Sequence, residues 1–267
     1  MEVSSGITEA PSLVLGPLLS HWPAERRRDF YYRIADEADI DVVCVGEVVC
    51  AKRSPLFSAY LSSVLERLQH AGKAVVRSTL ALVVDDRDLG GLAAVCDEPD
   101  VAIEANDMAA ALLMRGRPFT LGPFVNVYNE GTLRFLASCG AIRACPPAEL
   151  SQRSLGALAA AGACDIEAQV FGRIPLALSA RCISARVHGL SRDRCRQVCG
   201  DDPDGMAAET LDGQPFVAVS GHVVLSAAVT ARLRDLARLR FLGIRHFRLY
   251  PTGMADMVGV GAVFREV

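Results

Sequence analysis

Short runs of apolar residues recur along almost the whole chain and alternate with segments of helical periodicity. The runs, which are typical of buried strands, are Leu13–Leu15, Asp41–Val45, Ala74–Val84, Val101–Glu104, Phe119–Leu121, Ala141–Ala144, Ile166–Val170 and Ile244–Leu249. Apolar positions at the spacing of an amphipathic helix occupy the segments Ala24–Ala38, Pro55–Ala71, Asp88–Val95, Asn106–Arg115, Glu130–Cys139, Glu149–Ala161 and Ala227–Leu242. Strand and helix therefore alternate from end to end, which favours one large α/β domain.

About eight repeats of strand and helix are typical of a (β/α)8 barrel, in which eight parallel strands are enclosed by helices. An open doubly wound sheet is the alternative, although it usually contains fewer such units. We predict a single TIM-like (β/α)8 barrel over residues 1–267, complete or lacking a unit, with a cysteine-rich loop insertion in its C-terminal third.

The alternation fails over residues 181–211, where the chain becomes polar and rich in glycine. A segment of this composition buries too little apolar surface to order itself. A bound metal could supply the missing free energy, so we expect this segment to be a metal-binding loop. Beyond it, Gln214–Leu225 alternates apolar residues around Gly221, which predicts a pair of strands packed over the barrel.

Composition and charge narrow the class of protein. Of 267 residues, 51% are hydrophobic, which is enough for a full core, and the formal net charge of −3 implies neither a nucleic acid nor an anionic membrane as partner. No apolar run is long enough to span a membrane, and Met1–Pro11 lacks the regions of a targeting signal. We expect a soluble, cytoplasmic protein whose nine cysteines form no disulfide framework.

Four of the nine cysteines form a pattern suited to a metal site. Cys182, Cys195 and Cys199 fall in one eighteen-residue stretch inside the polar segment, and Cys50 follows the second predicted strand. Such a loop, closing on one distant cysteine, can supply four sulfur ligands to an iron–sulfur cluster or to zinc. Structural zinc sites usually use two short pairs of cysteines. Only Cys195 and Cys199 form a short pair here, so the spacing favours a cluster and leaves zinc as the alternative.

The surroundings of each cysteine separate ligands from core residues. Lys52 and Arg53 follow Cys50 closely and are expected to favour its thiolate form. Cys145 follows a predicted strand, where active-site residues of barrels gather, so it is a reserve ligand. We expect the four cysteines with mostly apolar neighbours to be buried core residues, namely Cys44, Cys96, Cys139 and Cys164.

Polar residues stand where the predicted barrel strands end, on the side where such barrels bind substrates. We therefore expect seven residues there to contribute to substrate binding: Glu47, Arg53, Arg77, Glu104, Asn126, Asn129 and Arg143. The alternative for each is a helix cap or a hydrogen bond at the barrel rim, and Asn129 has the sequence context of an N-cap. The sequence contains no HExxH pair, G-x-S-x-G elbow or glycine-rich phosphate loop, so it identifies no catalytic residue.

Several of these segments together resemble one known family. In chain order they are Leu15–Leu19, Trp22–Pro23, Gly46–Arg53, Ser78–Val83, Ile103–Asp107, Asn126–Asn129, Glu149–Ser151 and Gly172–Cys182. On these motifs, which cover nearly the whole chain, the sequence is similar to the UbiV family of the collagenase-like peptidase superfamily. The resemblance does not imply peptidase activity.

The resemblance implies a TIM-type barrel in which a 4Fe–4S cluster is held by the four matching cysteines, Cys50, Cys182, Cys195 and Cys199. It implies a heterodimer with a UbiU-like protein that serves oxygen-independent ubiquinone synthesis together with a UbiT-like lipid carrier. The pair would hydroxylate the ring of the quinone precursor, with prephenate as oxygen donor. The alternative is a non-catalytic, metal-stabilised scaffold or a peptidase-like binding subunit, because a cluster with four cysteine ligands has no vacant iron.

Overall fold

The computed structural model of the protein describes residues 11–267. Residues 1–10 lie outside this range, and with them most of the segment Met1–Pro11 in which no targeting signal was expected. The strands of the described part are β1 (Ser12–Leu15), β2 (Val42–Gly46), β3 (Ala74–Ser78), β4 (Ala102–Ala105), β5 (Phe119–Leu121), β6 (Ala141–Ala144), β7 (Asp165–Leu178), β8 (Met206–Glu209), β9 (Pro215–Ser220), β10 (Val223–Ala231) and β11 (His246–Leu249). The α-helices are α1 (Ala24–Glu37), α2 (Ser54–His70), α3 (Asp86–Cys96), α4 (Met108–Leu113), α5 (Glu130–Cys139), α6 (Gln152–Ala160), α7 (Ile183–Val187), α8 (Leu236–Phe241) and α9 (Met257–Glu266). None of these helices is long and apolar enough to cross a membrane.

Eight of the strands close into a parallel barrel. Strands β1 to β7 are neighbours in chain order, and β11 pairs with both β7 and β1 to complete the circle. Helices α1 to α6 connect consecutive strands, and their buried apolar residues form the main core with the strands. This arrangement confirms the predicted TIM-like (β/α)8 barrel and excludes the open sheet.

The barrel strands are almost continuously apolar because both of their faces are buried. In β2, Val43 and Val45 belong to the core shared with the helices, whereas Cys44 packs with Val14 and Val76 in a separate cluster. Strands covered on both faces read as uninterrupted apolar runs rather than as an alternation of apolar and polar residues. This is why the runs in the sequence located the barrel strands.

The predicted helix Ala227–Leu242 is wrong in its first half. Residues Val223–Ala231 form strand β10, and helix α8 begins only at Leu236. Strand β7 is 14 residues long, and its second half pairs antiparallel with β10. The alanine-rich segment suits a helix locally, but the backbone hydrogen bonds offered by β7 outweigh that preference.

The second half of β7 carries a small antiparallel sheet composed of β10, β9 and β8 in that order. Strands β9 and β10 confirm the predicted strand pair at Gln214–Leu225. They are joined at Gly221, where φ is +67° and a side chain would begin only 2.7 Å from Arg53 Nη2. The segment 181–211 forms α7, 3-10 turns at Arg192–Arg194 and Val198–Gly200, and the outer strand β8 of this sheet, so the polar loop is ordered.

Candidate metal centre and the adjoining cavity

The four cysteines expected to bind metal line one small pocket. Cys50 lies in the turn after β2 and Cys182 directly precedes α7. Cys195 ends the first 3-10 turn of the loop, and Cys199 lies within the second. The barrel presents Cys50, and the loop brings the other three to it. The fold thus brings together all four residues that the sequence pattern selected.

Protein contacts fasten the cysteine-bearing loop to the barrel. Lys52 Nζ donates a hydrogen bond to the carbonyl oxygen of Arg192 at 2.6 Å. The Arg192 guanidinium lies 3.1 Å from an Asp85 carboxylate oxygen and 2.5 Å from one of Asp88, whose side chain is almost fully buried. These contacts join the loop to the turn after β2 and to the start of α3. The loop therefore has sources of order other than a metal.

Burial controls the protonation of two of the thiols. It raises the pKa of Cys50 to about 11, against the opposing effects of the Lys52 backbone N–H and the Arg53 guanidinium. Burial also raises the pKa of Cys182, although the N–H of Ala185 favours its charged form. Arg53 favours the thiolate form of Cys50, as expected, but desolvation outweighs this effect and raises the pKa of the thiol alone. A coordinated metal deprotonates a thiol outright and would reverse this balance.

Two further side chains contact the cysteine pocket through Cys199. His21, which the sequence analysis missed, has its Nδ1 atom 3.2 Å from Cys199 Sγ. Burial, together with Arg53 and Arg27, lowers the pKa of His21 to about 4, so the ring is neutral at pH 7. Arg53 is 3% exposed, lies beside Cys199 and donates to Ser220 Oγ at 3.2 Å. Its position suits it to offset the negative charge of thiolates. The only signal for His21 was its place just after β1, at the mouth of the barrel.

A single zinc ion and an iron–sulfur cluster need different arrangements of the four thiols. A zinc ion needs four sulfurs at about 2.3 Å from one point. Within residues 11–267, no three His, Cys, Asp or Glu side chains converge in a way that could hold one metal ion. A four-iron cluster attaches each thiolate to a different iron, so its four sulfurs stand farther apart. Four thiols line one pocket beside the buried charge of Arg53, which is the donor set that such a cluster uses.

The reserve ligand Cys145 lies elsewhere. It is fully buried near Arg248 and Glu167 and is not among the residues that line the cysteine pocket. The remaining cysteines are buried or partly buried outside the pocket, namely Cys44, Cys96, Cys139 and Cys164. The four ligand candidates therefore lie together in the pocket, and Cys145 and the four cysteines expected in the core lie outside it.

Glu47 holds the turn that carries Cys50. Its Oε1 atom accepts hydrogen bonds from the backbone N–H groups of Val49 and Cys50, both at 3.1 Å. Its Oε2 atom lies 3.6 Å from Arg27 Nη1, and both side chains are almost fully buried. Arg27 in turn donates to the carbonyl oxygen of Gly46 at 2.6 Å. These contacts give Glu47 a positioning role toward Cys50.

Replacing Glu47 by alanine should both destabilise the fold and weaken metal retention. It leaves two backbone N–H groups without their acceptor and the buried Arg27 without its counter-ion, which we expect to cost about 3 kcal/mol in the free energy of unfolding. Loss of a residue that orients a ligand typically weakens metal binding by about tenfold or more. Denaturant unfolding and iron release to a chelator measure the two effects. Glu47→Gln keeps an acceptor oxygen and should lose less of both, whereas equal iron release from wild type and Glu47→Ala would contradict the positioning role.

Three other residues expected at the substrate site lie outside the cysteine pocket. Asn129 is the N-cap of α5, and its Oδ1 accepts from the Thr132 N–H at 2.9 Å, as in the alternative interpretation. Asn126 is exposed at the preceding turn with φ of +60°, a conformation that asparagine tolerates. Arg77 donates to both carboxylate oxygens of Glu98 at 2.9 and 3.0 Å.

Glu104 and Arg143 belong to an ion network between barrel strands that the sequence analysis missed. Arg248 donates to both Glu104 and Glu167, and Arg143 Nε lies 3.2 Å from Glu167 Oε2. Glu104, Glu167 and Arg248 are each at most 1% exposed. The interior of a TIM barrel is usually filled by branched apolar side chains, so this interior is unusually polar. The signal was available in Glu167 and Arg248, two charged residues that interrupt the apolar runs Ile166–Val170 and Ile244–Leu249.

A larger cavity of about 610 Å³ adjoins the cysteine pocket. It lies between α2 and α3, beyond the ends of β2 and β3, and Glu47 and Arg77 are part of its wall. Lys52, Arg192 and Gln197 line both this cavity and the cysteine pocket. The two sites are therefore direct neighbours.

Comparison with known proteins agrees with this architecture. The model of peptidase family U32 matches residues 30–261. The solved structure of the U32 peptidase Mk0906 aligns with a TM-score of 0.52 and 10% identity, over 94% of this chain and 97% of that chain. A dihydropteroate synthase from Thermus thermophilus aligns with a TM-score of 0.46 and 12% identity, over 97% of this chain and 95% of that chain. The likeness to the U32 peptidase structure concerns the fold alone, but the family match spans most of the sequence. The protein belongs to peptidase family U32.

Proposed function

We propose that Cys50, Cys182, Cys195 and Cys199 hold a 4Fe–4S cluster and that the chain is the iron–sulfur subunit of an oxygen-independent hydroxylation system. The observation that carries the proposal is that these four cysteines, from distant parts of a U32 barrel, line one pocket. The resemblance to the UbiV family selects ubiquinone synthesis in the cytoplasm as the process. It also supplies a UbiU-like protein and a UbiT-like lipid carrier as partners, with prephenate as oxygen donor.

The residues around the pocket have defined tasks toward such a cluster. A cluster with four cysteine ligands supplies electron transfer when it is bound. Arg53, buried beside Cys199, offsets part of the thiolate charge. The backbone N–H groups of Lys52 and Ala185 favour the charged forms of the Cys50 and Cys182 sulfurs. Hydrogen bonds to the sulfurs are among the factors that set a cluster's reduction potential.

Peptide hydrolysis, which the family name suggests, has less support in this chain. A cysteine nucleophile is activated by a neighbouring imidazole that takes up its proton. The contact between Cys199 and His21 has the required proximity, but burial and two arginines lower the pKa of His21 to about 4 and oppose formation of the imidazolium. We therefore assign the cysteines to the metal.

The test is anaerobic purification followed by reconstitution. We expect iron and acid-labile sulfide in the purified chain and a visible absorbance that air bleaches. The reconstituted mixture is then assayed for hydroxylation of a polyprenyl-phenol with prephenate, and each component is omitted in turn. We expect hydroxylation to require this chain, the UbiU-like protein and an iron–sulfur cluster in each of the two. A colourless, zinc-replete chain would contradict the cluster. Hydroxylated product formed without this chain would favour the alternative that the chain is a non-catalytic scaffold. Cleavage of peptides by this chain would favour a peptidase function.

A further inference from the structure

His21 lies against one of the four pocket cysteines and has no task in the function proposed above. Its Nδ1 atom is 3.2 Å from Cys199 Sγ, within hydrogen-bonding range of a sulfur, although the two residues are 178 positions apart in the chain. A thiolate that is bound to iron carries no proton, so it can only accept a hydrogen bond. The proton of this contact therefore belongs on Nδ1 when the cysteine is a ligand.

The neighbours of His21 and of Cys199 hold this contact in place. Trp22, the next residue after His21, donates from Nε1 to Asp204 Oδ1 at 2.6 Å, and Asp204 follows Cys199 in the same loop. The imidazole also lies against the residue after Cys199, because a side chain at Gly200 would begin only 3.5 Å from His21 Nδ1. Donor and acceptor are thus fastened to each other by adjacent residues, as is usual for groups that orient a metal ligand.

The donors to the pocket cysteines are of two kinds. Those to Cys50 and Cys182 are backbone N–H groups, which no change of side chain removes. Cys199 instead receives side-chain donors, from His21 and from the Arg53 guanidinium. Arg53 is 3% exposed and its charge is part of the barrel mouth, so its loss would change more than one sulfur. His21 is therefore the donor whose effect on the site can be isolated.

We propose that His21 donates a hydrogen bond from Nδ1 to the Cys199 thiolate of the bound cluster and thereby raises the reduction potential of the cluster. Reduction adds one electron and makes the sulfurs more negative, so a donor stabilises the reduced form more than the oxidised form. This inference rests on the proposed function, because it needs a cluster in the pocket. It makes His21 a positioning residue that controls how readily the cluster accepts an electron.

The test is a redox titration with dithionite of the anaerobically purified full chain at pH 7, followed by the EPR signal of the reduced cluster. His21→Phe removes the donor but keeps a ring, and should lower the ratio of reduced to oxidised cluster at a fixed potential by about threefold to tenfold, or about 30–60 mV for one electron. His21→Asn keeps an N–H donor on a short side chain and should recover most of this shift. His188→Phe is the matched control and should not change the potential, because His188 donates to the Ser184 carbonyl oxygen at 2.8 Å and lies outside the cysteine pocket.

Pulsed EPR of the protein labelled with 15N-histidine separates donation from ligation. We expect a weak nitrogen coupling that is lost in His21→Phe, whereas the strong coupling of an iron-bound imidazole would overturn the proposal. Equal potentials of wild type and His21→Phe, or the same shift in His188→Phe, would also overturn it. If His21→Phe takes up no cluster, the smaller His21→Leu replaces it in the comparison. A wild-type chain without iron overturns the proposed function together with this inference, but an iron-replete variant with an unchanged potential overturns this inference alone.

Discussion

Alanine in place of Cys50, Cys182, Cys195 or Cys199 is expected to remove nearly all iron and sulfide from the anaerobically purified chain. Each thiolate fills one ligand position, and the described residues that line the pocket include no carboxylate to replace it. His222 also lines the pocket, and the hydrogen bond of its Nδ1 atom to the Ser179 carbonyl oxygen at 2.7 Å leaves Nε2 as the nitrogen to be checked as a replacement ligand. The iron and acid-labile sulfide content per chain and the visible absorbance measure the loss.

Two cysteines outside the pocket serve as controls for that experiment. Cys96 and Cys139 are buried in the core between barrel and helices. Their alanine variants should keep the full iron content and lose only about 1 kcal/mol in the free energy of unfolding. Full iron in any one of the four ligand variants, with no replacement ligand present, would remove that residue from the site.

Replacement of Arg248 by methionine is expected to have the largest effect on stability. Arg248 is the centre of the barrel's ion network, and its loss leaves the fully buried Glu104 without a counter-ion. Glu167 keeps Arg143, 3.2 Å away. Removing one partner of a buried ion pair costs about 3–5 kcal/mol, because the other charge stays desolvated. Denaturant unfolding at pH 7 measures this loss.

The effect of Arg248→Met should depend on pH. Burial acts to raise the pKa of Glu104, but Arg248 and Asn106 together hold it below its usual value. A lowered pKa contributes stability above the unfolded-state pKa of about 4.3, and that stability is lost as the pH falls through the folded-state pKa. Without Arg248, only the hydrogen bonds from Asn106 and Cys44 oppose the effect of burial, so the pKa of Glu104 should rise and protonation then favours the folded variant. The difference in the free energy of unfolding between wild type and variant should therefore become smaller as the pH falls from 7 toward 5.

A double variant separates the ion network from simple loss of volume. Glu104→Gln combined with Arg248→Met removes both members of the ion pair and should recover part of the loss, because a fully replaced buried pair is often close to neutral. Arg67→Met, which breaks the exposed pair with Asp36, should cost less than about 1 kcal/mol. A double variant no more stable than Arg248→Met, or a gap that does not change with pH, would argue against an electrostatic origin.

The sequence by itself determined the barrel and the four metal-ligand candidates. The barrel strands are buried on both faces, so their apolar runs are a local property, as Asp41–Val45 illustrates. The crowding of Cys182, Cys195 and Cys199 in a polar segment is equally visible without a structure, and the turn after a strand gave Cys50 a place at the barrel mouth. Features that depend on neighbours in the chain can be read from the chain.

Tertiary structure alone decided the features that depend on residues far apart in the sequence. Residues 227–231 form a strand rather than a helix because the end of β7, far upstream in the chain, supplies their backbone partners. The pKa of Cys50 is raised because burial, which the sequence does not give, outweighs the Lys52 backbone N–H and the Arg53 guanidinium. The ion pair of Glu104 with Arg248 joins residues that the barrel closure brings together. Pairing, desolvation and enclosure are properties of the folded arrangement, and no local pattern encodes them.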